Sequence, residues 1–233
     1  MRFGRKSRPE APAEAAPDAP TDAPTDDPGT TGSTASAEAQ QAAPTGPHDA
    51  EVLGDDGVER VDLGSLLIPP VEGAELRIQV DERTQQVQAV LLAGADGALE
   101  LRAFAAPRNG DLWSEVRPQL AADMARRGGT ATEQEGSFGP ELSCRLTVQG
   151  SDGRTGEQPS RIVGINGSRW MLRATFLGKP ALDAETATRW EETLRTIAVR
   201  RGDHAMPVGD PLPVVLPDQA RRVTPPGGTA GPS

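Results

Sequence analysis

The chain is poor in the side chains that carry most enzymatic chemistry. Its 233 residues include one cysteine, two histidines, no tyrosine, three tryptophans and four phenylalanines. A single Cys144 excludes a disulfide framework and a cysteine-cluster metal site. His48 and His204 fall in segments expected to be tails, so the expected core has no histidine for a Ser-His-Asp or Cys-His arrangement. A histidine-rich metal site is excluded on the same ground, and an all-carboxylate Mg²⁺ site has no spacing signature. Gly136-Ser137-Phe138-Gly139 lacks the spacing and context of a phosphate-binding loop. No catalytic residue, metal or cofactor is therefore assigned, and enzymatic activity is not favoured.

Long apolar runs are missing too. Nothing approaches the roughly 18 residues of a membrane-crossing helix. The basic head Arg2, Arg5, Lys6 and Arg8 is followed by Pro, Ala and Asp, where a secretory leader needs about 7–15 apolar residues. A cytoplasmic location without membrane contact is expected, which suits a free thiol. Basic charge is also short, with 24 Lys and Arg against 34 Asp and Glu for a net charge of −10. Such a balance argues against sequence-independent nucleic-acid binding by the whole chain, which is driven by neutralising phosphates.

What is present is unevenly distributed. Residues 1–50 hold only two large apolar side chains, Met1 and Phe3, and eight carboxylates without a base run from Glu10 to Asp49. Ala and Pro bury too little surface to offset the entropy of ordering, so 1–57 is expected to be a disordered arm. From Asp203 to the end come seven prolines in 31 residues, a Pro-rich tail in which 212–217, apolar and Pro-punctuated, is the piece able to dock. A domain over 58–202 is left between them.

Inside it, apolar residues alternate with period two over 76–80, 87–92 and 99–104, the last two joined by the hairpin-type Gly94-Ala95-Asp96-Gly97. A helix follows over 111–127, with Leu112, Trp113, Val116, Leu120 and Met124 on one stripe and Gly128-Gly129 as its stop. Pro118 inside it implies a kink or a later start. Strands return over 142–148, 161–165 and 169–177, the last two around Asn166-Gly167, read as a two-residue hairpin. Asp183 caps the final helix, whose buried stripe is Trp190, Leu194 and Ile197. The fold class is α+β: an antiparallel sheet of about six strands packed by two main helices, in the order β-β-β-α-β-β-β-α. Cys144 is expected as a plain buried thiol, the tryptophans as core, and Glu191-Glu192 on a solvated face.

Several separated motifs carry a resemblance. They are Phe104-Ala105-Ala106-Pro107-Arg108, Trp113 with Glu115-Val116-Arg117, Gly136 to Leu142, and Val163 to Arg173. Together they resemble the actinobacterial domain of unknown function 3710 family from about Val61 to Leu216. The resemblance implies no catalytic residues, and a gene neighbourhood with a dUTPase and a small OB-fold protein.

One constellation asks for more. With Val163 facing Trp170 across the hairpin, one sheet face shows Arg169, Met171, Arg173 and Ile162, and the same alternation adds Arg145 with Thr147 and Arg102 with Phe104. In the simpler reading these arginines pair with Glu100 and similar neighbours, and the strips Leu66-Leu67-Ile68-Pro69 or 212–217 cover their apolar companions. In the sharper one, Arg102, Arg145, Arg169, Met171 and Arg173 bind an anionic ligand or a partner. The functional expectation is a non-enzymatic binding or adaptor module with a protein partner. The alternative is an accessory factor linked to nucleic-acid or nucleotide metabolism that binds an anionic ligand through the arginine face.

Overall fold

Hairpin-linked strands dominate the chain, and a sheet buried on both faces organises it. The computed structural model describes residues 46–81, 83–84, 86–149 and 155–216, all within one unit spanning Ala42–Ser233. The expected disorder of the arm and of the tail's end falls mostly on residues outside these. In chain order the elements begin with β1 (His48–Asp49), β2 (Val61–Asp62), β3 (Leu66–Ile68), β4 (Ala74–Val80), β5 (Val87–Gly94), β6 (Gly97–Ala105) and α1 (Leu112–Arg126). They continue with β7 (Thr130–Gly136), β8 (Gly139–Gln149), β9 (Thr155–Asn166), β10 (Trp170–Gly178), a 3₁₀ turn (Lys179–Ala181), α2 (Ala184–Thr196) and β11 (Ala198–Val199).

Seven strands form one antiparallel sheet in the order β4-β5-β6-β10-β9-β8-β7. The additional strand, β7, reads Thr-Ala-Thr-Glu-Gln-Glu-Gly and is mostly exposed, so it shows no apolar alternation to a sequence reading. Its polarity suits an edge strand, where apolar residues would invite pairing with another chain. A second, small sheet, β1-β11-β3-β2, has β1 parallel to β11. The ordered fold thus starts before residue 58: His48 N–H donates to Ile197 O at 2.8 Å, and Ala50 N–H to Val199 O at 2.9 Å. His48 sits in a strand, and its expected place in a tail is corrected.

Side-chain parity splits the core in two. On one face Leu99, Leu101, Ala103, Leu172, Ala174, Phe176 and Val163 pack under Trp190 and Leu194 of α2, with Leu66, Ile68 and Val199 of the small sheet. The 203–216 stretch joins this side, where Leu212 is buried and its N–H donates to Ala103 O at 2.8 Å. On the other face Leu142, Cys144, Ile162 and Met171 pack under Leu112 and Trp113 of α1. Each face therefore carries one helix. The strips at 66–69 and 212–216 cover the α2 face and not, as the simpler reading had it, the face of Arg173; residue 217 lies outside the described residues.

Helix α1 is fastened at its first turn. Gly164 gives β9 a gap in its side-chain row, and the Trp113 ring fills it; an added Cβ would lie 2.1 Å from Trp113 Cδ2. Trp113 Nε1 donates to Pro140 O at 2.6 Å. Asn166 accepts from Trp113 N–H at 3.2 Å and donates to the N-cap Asp111 at 2.7 Å. Asp111 in turn accepts from Ser114 N–H at 3.0 Å. The helix runs through Pro118 and ends where Gly128 takes a φ of 77°, the left-handed stop its sequence announces.

Asn166 thus serves α1 rather than a two-residue turn. Met171 pairs with Asn166 and Arg173 with Gly164, so the register lies four residues from the expected one. Four is even, and every β10 side chain keeps its expected face.

Replacing Gly164 with Ala is expected to cost about 1–3 kcal/mol in urea unfolding, whereas Gly156→Ala, with open space at its Cβ, stays within about 0.5 kcal/mol. The Ser114 hydroxyl, then the Ser114 N–H and Asn166, hold the Asp111 carboxyl below its ordinary value of 3.8. That stabilisation is complete above the ordinary value and is lost as pH falls through the lowered one. Asp111→Ala should cost about 1 kcal/mol at neutral pH, and wild-type and variant unfolding curves should converge as pH drops well below 4.

Candidate binding groove

The closest packing of α1 is at its amino end, with a further tie from Arg117 to Glu133 of β7 at 2.9 Å. Leu112 and Trp113 are buried, while Val116, Leu120 and Met124 are only partly covered. Beyond the first turn a groove of about 550 Å³ opens between the helix and the sheet. Leu120 and Met124 form its helix side; Leu146, Ile162 and Leu177 its apolar floor; Gln79, Gln158, Ser160 and Thr175 its polar wall. Arg173 and Glu100 lie at the β10–β6 side, and Asp123, Arg126 and Arg127 at the mouth. Asp123 and Arg126 form an ion pair with each other. A volume in the range of roughly 300–1,000 Å³, with an apolar floor and a few converging polar groups, is typical of sites for small molecules or single peptide side chains.

The five expected site residues are dispersed. Arg173 reaches the groove, and Arg102 stands directly opposite it on β6. Met171 shares their face but is core, 1% exposed under Trp113, because parity aligns it with Ile162 and Leu142. Arg169 lies in the β9–β10 loop and pairs with Glu51 at 3.2 Å, tying the segment after β1 to the loop. Arg145 is on the opposite face: Leu142 registers with Ile162, so the even-numbered β8 residues look toward α1 and the odd ones away. It is 58% exposed and pairs with Glu157 at 3.2 Å. The expected face is thus corrected for Arg145 and Thr147, which lie on the opposite side, and for Arg169, which lies in a loop; Met171 keeps the face but is buried in it. Burial raises the Cys144 thiol above its usual value, as a plain core thiol requires.

Across residues 46–223 the sequence matches the family described as protein of unknown function (DUF3710). The chain belongs to that family. No curated protein matches it. A crystal structure from Bacteroides thetaiotaomicron VPI-5482 is similar at 13% identity and a TM-score of 0.37, over 61% of this chain and 47% of that one. This chain spans about half that chain's length, and a likeness so slight carries no argument.

In the DUF3710 chain, Arg161 and the Arg102–Arg173 pair lie in different charge environments on the two faces. On the α2 side, Arg161 is 12% exposed and lies between two carboxylates, 2.6 Å from Glu191 and 3.7 Å from Glu141. Its guanidinium also stacks 4.2 Å from the Phe176 ring centroid, and Arg195 adds a contact to Glu191 at 3.9 Å. Glu191, expected on a solvated face, is buried by this network. Its signal was the helical position one residue after Trp190, beside the buried stripe. On the α1 side, Arg102 makes no ion pair among the described residues, and Arg173 has only Glu100, at 3.8 Å. Burial, then the Arg102 charge, press Arg173 below its usual value. Among the described residues, no group of three His, Cys, Asp or Glu is placed to hold a metal, and no helix is long and apolar enough to cross a membrane.

These two environments predict opposite stability effects. Arg161→Met strands Glu141 and Glu191 in the core and should cost about 3–5 kcal/mol. Arg102→Met removes a half-buried like charge and should leave the urea midpoint in ligand-free buffer unchanged or raised.

Proposed function

We propose that this DUF3710 chain is a cytoplasmic, non-enzymatic binding module and that the groove under α1 is its binding surface. The observation that carries the reading is the combination of apolar floor and cationic wall. Leu146, Ile162 and Leu177 suit a carbon skeleton or an apolar side chain, and Arg173 suits an anionic group beside it. A partner inserting an acidic or apolar segment, and a free anionic molecule, both fit that chemistry. The buried, free Cys144 is consistent with a reducing compartment. Support for the nucleotide-linked reading is narrower: Arg126 and Arg127 flank the mouth near Arg173. Long nucleic acid is opposed by charge, since residues 51–202 hold 18 basic against 23 acidic side chains.

Thermal melting of the full chain against a panel of nucleotides, organic anions and acidic peptides tests the reading. At saturation a groove ligand should raise the melting temperature by several degrees. Ser160→Trp, which fills the groove from its polar wall, should abolish that rise while the unliganded protein still melts cooperatively. A panel without effect, or a rise that survives Ser160→Trp, counts against the groove. Retention on heparin or single-stranded DNA at about 50 mM salt decides the nucleic-acid variant, because phosphate contacts are strongest there.

A further inference from the structure

Arg102 and Arg173 are direct cross-strand partners on neighbouring central strands. Like charges facing each other in this way repel, and a sheet gains nothing from the arrangement by itself. Neither guanidinium turns away. Each places its Cζ 5.5 Å from the centroid of the same Phe104 ring, so both stay beside that ring at the β6–β10 wall. Both Nε atoms are buried and have no hydrogen-bond partner among the described residues. The Arg173 side chain is 16% exposed, and its one carboxylate, Glu100, stands at 3.8 Å, beyond hydrogen-bonding distance. Arg161 on the other face also has an unpartnered Nε, but its guanidinium end donates to Glu191 at 2.6 Å and lies 3.7 Å from Glu141, whereas neither Arg102 nor Arg173 has a carboxylate within hydrogen-bonding distance among the described residues.

We propose that Arg102 and Arg173 form an oxyanion seat whose ligand is an organic phosphate monoester, with its carbon body lying on the apolar floor of the groove. The inference rests on the groove reading above and names the chemistry that the groove takes. Two adjacent guanidinium forks exceed the two oxygens of a carboxylate, which one fork already saturates. The three terminal oxygens of a phosphate monoester serve both forks. Phe104 is a cation–π neighbour of both guanidinium groups. Arg173 bridges seat and groove, because it alone of the pair lines the cavity. A free metabolite and a phosphorylated side chain present the same group, and the size of the attached body separates them.

Titration calorimetry on the full chain tests the seat with inorganic phosphate, phenyl phosphate, a nucleoside monophosphate and a phosphothreonine peptide. Saturable phosphate binding is expected, tighter for whichever ester fits the floor. Arg102→Met should weaken it by about tenfold or more, since charge-assisted hydrogen bonds are lost. Glu100→Gln should tighten it severalfold by removing the nearby carboxylate, a change opposite in sign to any general damage to the fold. Arg77→Gln, on an exposed pair with Glu75, should leave it unchanged. Absence of saturation by any phosphate up to roughly 10 mM, or equal affinity in Arg102→Met and wild type, overturns the seat. A ligand lost in Ser160→Trp but indifferent to Arg102→Met would overturn the seat and leave the groove standing. Phosphate binding lost in Arg102→Met but intact in Ser160→Trp would support the seat and remove the groove.

Discussion

The insertion of Trp113 over Gly164 sets where everything on the α1 face can be. A helix laid on a sheet normally meets a continuous row of side chains; here one position of β9 has none, and an indole occupies the vacancy. The hydrogen bond from Nε1 to Pro140 O fixes the ring's direction, and Asn166 links the helix's amino end to the end of β9. All three contacts lie within the first turn of α1 or at its cap. The remaining turns lean on the sheet through the partly buried Val116, Leu120, Ala121 and Met124 and through the Arg117–Glu133 pair. The groove is the space left between Leu120 and Met124 of the helix and the strands, with β7 following the helix's far end and its Glu133 paired with Arg117 at 2.9 Å.

The electrostatic pattern follows from the same asymmetry. On the α2 face the small sheet and the 203–216 stretch close over the strands, so a charge there is out of water and must be neutralised from within. Glu191 and Glu141 do so for Arg161. On the α1 face the cover is incomplete, and Arg102 and Arg173 remain within reach of solute while their stems and Nε atoms are buried. Placing two such cations opposite each other raises the energy of the empty state, and an arriving anion relieves both the repulsion and the partial desolvation.

Much of this plan was legible in the residues, for identifiable reasons. Alternation in 99–104 and 169–177 marked central strands, and Asp111, Asp183 and Gly128 marked helix ends, because caps and left-handed stops are local devices. The hairpin at Asn166 was misread by four residues since Asn-Gly also satisfies turn chemistry when its amide is engaged elsewhere, here by Trp113 and Asp111. Parity rescued the face assignment of Arg173 and Met171 but could not say that a helix covers Met171. Short strands such as β1, β2 and β11 carry too few residues for periodicity to register, so the start of the fold at His48 was invisible. β7 escaped because an edge strand needs only backbone pairing, and its side chains point to water.

The groove was the least legible feature, and the reason is general. Its walls come from β4, β6, α1, β8, β9 and β10, and the only neighbours in the chain among its lining residues are Asp123 with Met124 and Arg126 with Arg127, all at the end of α1. No motif can encode such a site. What the sequence does carry is the pair of constraints that create it: a glycine in a strand where a side chain would pack, and arginines at the polar positions of two alternating strands. Gly164 and Arg173 are cross-strand partners, and Arg173 stands opposite Arg102 in turn. One row of the sheet therefore reads anchor, cation, cation. Moving the anchor along β9 would shift the groove relative to the charges, so the position of the tryptophan slot and the position of the arginines have to be set together for either to be useful.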